Sequence, residues 1–181
     1  MAGRRLPLIP VDKLSTEQRK VYDSIRGGPR AKLANFSGAA PGPLGGPFNM
    51  MLRSPGIGNI VQSLGGEIRF NSSLPAKLNE FAIIVTARYW TSQYEWHAHC
   101  RLAIEAGLDP AKAKDVAENR RPANMDAAEA AVYDFSHELH TKKSVSDENY
   151  QRVLDQFGER GVFDLVAVNG YYSLGSMILN V

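Results

Sequence analysis

The sequence predicts an all-α fold: one domain spanning residues 1–181, built as a bundle of seven or eight helices. Three observations predict it. Helix-capping signatures recur along the chain, each opening a stretch whose apolar residues repeat with helical spacing. No stretch of alternating apolar and polar residues survives as a strand. No internal repeat breaks the chain into solenoid units. At 181 residues, 44% of them hydrophobic and 22% charged, the composition is that of an ordinary globular domain.

The elements follow in order. Ser15-Thr16-Glu17-Gln18 reads as a capping box, and Val21, Tyr22 and Ile25 form the stripe of a helix ending at Gly27-Gly28. Residues 27–47 hold ten Gly or Pro in 21 positions, a length and composition that suit either a lid or a solvated surface loop. Residues 47–53, PFNMMLR, suggest a short helix. Ser54-Pro55 places Pro at the first position of a helix running to Phe70, with Ile57, Ile60, Val61, Leu64 and Ile68 at i, i+3, i+4 spacing.

Ser73 and Pro75 are expected to cap a helix to about Trp90. Its centre, 81–85, is apolar on all sides and could pass for a buried strand, but its length and flanking helix formers decide for helix. A turn at Thr91-Ser92 leads into a helix over 93–106, closed by Gly107. Asp109-Pro110 starts a short helix to Glu118, and Asp126 with Glu129 forms a capping box opening a helix to about His140. Ser146 begins a helix ending at Gly158, and a last one starts at Val162. That last segment carries Asp164, Asn169, Gly170, Ser173 and Ser176, which makes it a core helix in preference to a membrane span. A chain stopping on so apolar a segment is expected to continue into a short tail.

Several function classes are disfavoured. A net charge of +2, with basic residues scattered, gives no electrostatic footprint for nucleic acid or an anionic membrane. A single cysteine, Cys100, permits neither an internal disulfide nor a CxxC centre and fits a reducing cytoplasm. The proline-broken start MAGRRLPLIPVDKL makes a poor signal peptide. GAAPGPLGGP lacks the Lys-Ser/Thr of a phosphate-binding loop, and no GxSxG elbow is present. His137 and His140 are spaced i, i+3, but no third metal ligand is evident and a solvated face is the simpler reading.

The chemistry concentrates in residues 80–99, EFAIIVTARYWTSQYEWHAH. On a helix, Glu95, His99, Leu102, Ala103 and Ala106 share one stripe whose apolar members point it inward. Glu80 lies on the preceding helix, joined by a tight turn, so it can face the Glu95–His99 pair. A buried carboxylate demands a partner, and His99 or Arg88 can supply one. The cluster is either an acid–base centre or a buried hydrogen bond that holds two helices in register. His97 falls on another face and reads as a surface residue. Arg88 is either a counter-ion or a ligand for an anionic substrate, Ser92 a turn cap or a nucleophile, and Tyr94 an interface aromatic or a substrate contact.

Glu80, the ARYW of 87–90 and the SQYEWHAH of 92–99 resemble the carboxymuconolactone decarboxylase family of the alkyl hydroperoxidase D-like superfamily. The resemblance continues through AIEAGL at 103–108, YDF and EL within 133–139, and the closing helix, from about Pro47 onward. The redox branch of that superfamily carries Glu, CxxC and His; here those positions are Glu80, Ser92, Glu95 and His99, so both thiols are missing. The resemblance therefore implies a non-CxxC member: a cofactor-free lyase of aromatic catabolism removing carbon dioxide from a small, anionic, carboxylated lactone. In that reading Glu80, Glu95 and His99 are catalytic, and Arg53, Arg88, Tyr94 and Ser92 contact substrate. It also implies a homo-trimer or hexamer and calls for no metal. The alternatives are a hydroperoxidase-like protein without the thiols, or a non-catalytic member that binds a small ligand.

Overall fold

The computed structural model describes residues 5–32 and 42–181; 74% of these described residues are helical and no strand occurs among them. Among the described residues there are eight α-helices and two 3-10 turns. The chain clusters into two compact units, Met1–Phe70 and Asn71–Val181.

In the first unit, α1 (Thr16–Gly27) opens on the expected capping box, with Ser15 and Gln18 each accepting from the other's backbone N–H. Its stripe of Val21, Tyr22 and Ile25 packs with Leu44 and Leu52 into the unit's core, against which Ile9, Val11, Leu14 and Phe48 lean. Residues 33–41 of the Gly/Pro-rich stretch lie outside the described residues. On its far side the Gly42 carbonyl accepts from the Tyr22 hydroxyl and from Arg26. Helix α2 (Pro47–Met51) then meets α3 (Pro55–Phe70) closely. A Cβ at Gly58 would stand 2.1 Å from the Met51 carbonyl oxygen, so only glycine fits there.

That contact decides which face of α3 is covered. Gly58, Gln62, Gly65 and Ile68 are buried, while Ile57, Ile60 and Leu64 of the apolar stripe are exposed. Small residues permit close backbone approach, and here this outweighs the side-chain pattern. The Gln62 amide, hydrogen-bonded to Ser24 and to Arg30, then ties the buried face to neighbouring segments.

The second unit is organised around α4 (Ala76–Tyr89), in which every residue from Leu78 to Ala87 is buried. An all-round apolar helix of this kind belongs in the interior, and α5 (Gln93–Glu105), α7 (Ala127–Lys142) and α8 (Asp147–Asn180) pack against it. Its expected cap differs: Pro75 occupies the N-cap and gives no side-chain bond, while the Ser73 hydroxyl donates to Asp164 of α8. Helix α6 (Pro110–Ala117) is capped by Asp109, and α7 by the Asp126–Glu129 box. Glu129, nearly fully buried, also pairs with Lys77 at 2.9 Å and with Lys112, fastening α7 to α6 and to the start of α4. Glu138 accepts from Lys142 and, across the α7–α8 turn that it fixes, from the Ser146 backbone and hydroxyl and from Asn149; together these hold its carboxyl well below the usual range.

The two predicted closing helices are continuous except at Gly158, whose φ of 68° and ψ of −178° break α8 in a conformation essentially restricted to glycine. By length and composition α8 could cross a membrane, yet one face is packed inside the unit. Leu165, Val168, Asn169, Tyr172 and Ser176 are buried, whereas Phe163, Val166 and Met177 are exposed. A core helix is thus found on one face only.

Candidate active site

The turn between α4 and α5 makes the two helices antiparallel neighbours, and Thr91, at φ 52°, takes the left-handed conformation that closes it. Glu80 therefore points from α4 toward the first turns of α5. His99 Nδ1 lies 2.6 Å from Glu80 Oε2, and its Nε2 lies 3.3 Å from Glu95 Oε2 one turn earlier on α5. All three side chains are buried. The imidazole is bracketed by two carboxylates, and of these Glu80 is the nearer.

Burial opposes charging this ring, but its hydrogen bonds to Glu80 and Glu95, reinforced by their charges, outweigh it. The His99 pKa is raised above its ordinary 6.5. The protonated ring donates from both nitrogens at once, an arrangement in which an imidazolium is stored beside two bases.

Helix α8 supplies the remaining wall. Tyr172 sets its ring edge-to-face against His99, with centroids 4.9 Å apart. Gly175 leaves room for Glu95: a Cβ there would approach Glu95 Oε1 to 3.1 Å. The hydroxyls of Ser92 and Ser176 are buried without a hydrogen-bond partner among the described residues, two spare donors beside this carboxylate's helix and its glycine. Ser92 occupies the N-cap of α5 but makes no capping bond. The α8 residues carry no recognisable pattern. Their trace in the sequence is a pair of tyrosines set among small residues, GYYSLGS.

The other candidates make different contacts. His97 and Tyr94 are exposed, and the Tyr94 phenol is raised by partial burial and by Glu95. Arg53 donates to the Pro7 carbonyl within the first unit. Arg88 donates from Nε to the Ala117 carbonyl of α6, at 2.8 Å. It lines a cavity with α7 residues that Glu80, Glu95 and His99 do not reach. Cys100 is partly buried and its thiol pKa is pushed up, the opposite of what a reactive thiolate needs.

The sequence profile of the carboxymuconolactone decarboxylase family matches residues 55–138. Over this segment the chain is similar to that family. That family lies within the alkyl hydroperoxidase D-like superfamily, whose members include decarboxylases, hydroperoxidase-like proteins and non-catalytic proteins. The matched segment includes Glu80, Glu95 and His99 and stops before α8, so Tyr172 and Gly175 stand outside it. It is also narrower than the stretch from Pro47 to the C-terminus over which the resemblance was traced. Searches of the curated proteins and of the solved structures returned no match.

Proposed function

We propose that the chain is a cofactor-free lyase that removes carbon dioxide from a small carboxylated lactone or a related anionic compound of aromatic catabolism. One observation carries the reading: His99 is buried between Glu80 and Glu95, whose hydrogen bonds and charges raise its pKa against the cost of burial and so favour the protonated, proton-donating ring. In the reaction the bond between carbon and the departing carboxylate breaks, and its electron pair flows into a conjugated carbonyl. The developing enolate needs stabilisation and then a proton on carbon. His99 donates that proton. Glu80, at 2.6 Å, stabilises the imidazolium beforehand and relays a solvent proton to it afterwards, while Glu95 holds the ring's other nitrogen.

The absence of thiols at Ser92 and Glu95, together with the unreactive setting of Cys100, favours this branch over the hydroperoxidase-like one. The proposal extends to assembly as a homo-trimer or hexamer, supported by the exposed apolar residues Phe163, Val166 and Met177 on α8.

The test is anaerobic carbon dioxide release from carboxylated lactones by the protein and by His99→Asn. The variant should remain helical by circular dichroism and lose at least ~100-fold in kcat. Wild-type turnover in His99→Asn overturns the assignment.

A further inference from the structure

On another face of α4 lies a cavity of about 420 Å³ whose lining includes Val85, Arg88, Tyr89, Tyr133, His137 and His140. Its volume is within the range of small-molecule sites. Two features make it more than a packing defect. Its aromatic rings are paired in parallel: Tyr89 stacks on His140 at 4.9 Å and 16°, and Tyr133 on His137 at 5.6 Å and 8°. Among charged side chains the lining holds the guanidinium of Arg88 and no carboxylate. Arg88 uses Nε on the Ala117 carbonyl, and its two terminal nitrogens have no partner among the described residues.

The tautomer of His140 follows from its buried network. Asn169 directs its amide nitrogen at the Leu165 carbonyl and at Ser136, so its oxygen faces Thr86. The single proton of the Thr86 hydroxyl is then shared between two pure acceptors, the Ala82 carbonyl at 3.0 Å and the Asn169 oxygen at 3.1 Å. His140 Nε2, 2.9 Å from the same hydroxyl, must therefore be the donor. Its Nδ1 is left as a bare acceptor, with no partner among the described residues. Burial, with the charge of Lys143 adding to it, keeps the ring neutral by lowering its pKa to about 4, so Nδ1 retains its lone pair at neutral pH.

We propose that this cavity binds a small planar aromatic carboxylate carrying a ring hydroxyl, its carboxylate on the Arg88 fork and its hydroxyl donating to His140 Nδ1. The cation selects the anion, since a guanidinium fork matches a carboxylate. The bare imidazole nitrogen selects a donor. Val85 and Val116, also in the lining, supply apolar contact for a flat ring. This site is separate from the Glu80–His99 cluster and does not depend on the reaction assigned to it.

The probe is 4-hydroxybenzoate, titrated into the full chain by calorimetry and by NMR of the histidine ring resonances. Saturable binding that moves the His137 and His140 signals is expected, weakened about tenfold or more in Arg88→Gln. Benzoate, which lacks the donor, and phenol, which lacks the anion, should each bind several-fold more weakly than 4-hydroxybenzoate. His99→Asn should bind it unchanged. Unmoved His137 and His140 signals, equal affinity in Arg88→Gln, equal affinity for benzoate, or loss of binding in His99→Asn would each overturn the site as drawn.

Discussion

Acid should destabilise this protein through His140 in particular, and the size of the effect can be worked out. The ring is enclosed by Thr86 and Tyr89 of α4, by Asn169 of α8, and by His137 and Lys143 on its own side, so charging it means placing a cation beside a lysine and away from water. Its pKa falls from 6.5 to about 4 on folding. The sign follows from linkage: a depressed histidine leaves the native state short of a proton that the unfolded chain takes up below pH ~6.5, so stability is lost as pH falls and the loss levels off below about pH 4. It amounts to about 2 kcal/mol at pH ~5 and ~3 kcal/mol below pH ~4.

The assay is urea unfolding followed by helix content at a series of pH values, for the protein and for His140→Gln. Replacing the ring lowers stability at every pH by breaking the Thr86 bond, so the informative quantity is the difference between the two curves. That difference should shrink by about 2 kcal/mol between pH ~7 and pH ~5. Curves that stay parallel to within ~0.5 kcal/mol would refute the neutral, Nε2-protonated assignment.

Three further outcomes are expected. Glu129→Ala leaves Lys77 and Lys112 without their buried carboxylate and should cost about 3 kcal/mol, the low end for a broken buried pair because Lys77 can reach water; the urea midpoint reads it. Gly158→Ala meets no atom within 4 Å but must hold a φ of 68°, so it should cost ~1–3 kcal/mol from backbone strain alone, seen as a lower Tm. Gly175→Ala should push Glu95 away from His99 and bring the His99 pKa back toward 6.5, which an NMR titration of the ring would show; an unmoved titration would mean that Glu95 does not contribute to the shift.

Much of this fold can be read from local chemistry. Ser15 with Gln18, Asp109 before Pro110, and Asp126 with Glu129 mark helix starts because each side chain accepts from a backbone N–H only a few residues away. The i, i+4 spacing of Glu95 and His99, with a tight turn before α5, places Glu80 within reach for the same local reason. What fails is whatever depends on distant backbone. The α3 stripe of Ile57, Ile60 and Leu64 suggested a covered face, but the Gly58 contact with Met51 turned another face inward. Arg88 shares a helix with Glu80, yet eight residues of helical rotation carry it round to α6. Tyr172 and Gly175 are about ninety residues from Glu80, and no spacing rule links them. The Thr86–His140–Asn169 network joins three helices, so no single segment reveals it.

The burial of α4 has a consequence for how such a protein could diversify. Ten successive residues of this helix are buried, and three of its faces are already committed: Glu80 to His99, Thr86 to His140 and Asn169, and Val85 to the cavity beside Arg88. A helix so enclosed has no side on which a change is neutral. Whatever the His99 cluster or the cavity accepts can then be altered only from the facing walls, α5 and α8 for one, α6 and α7 for the other. The central helix would serve as a fixed spindle, on which two recognition surfaces can drift independently.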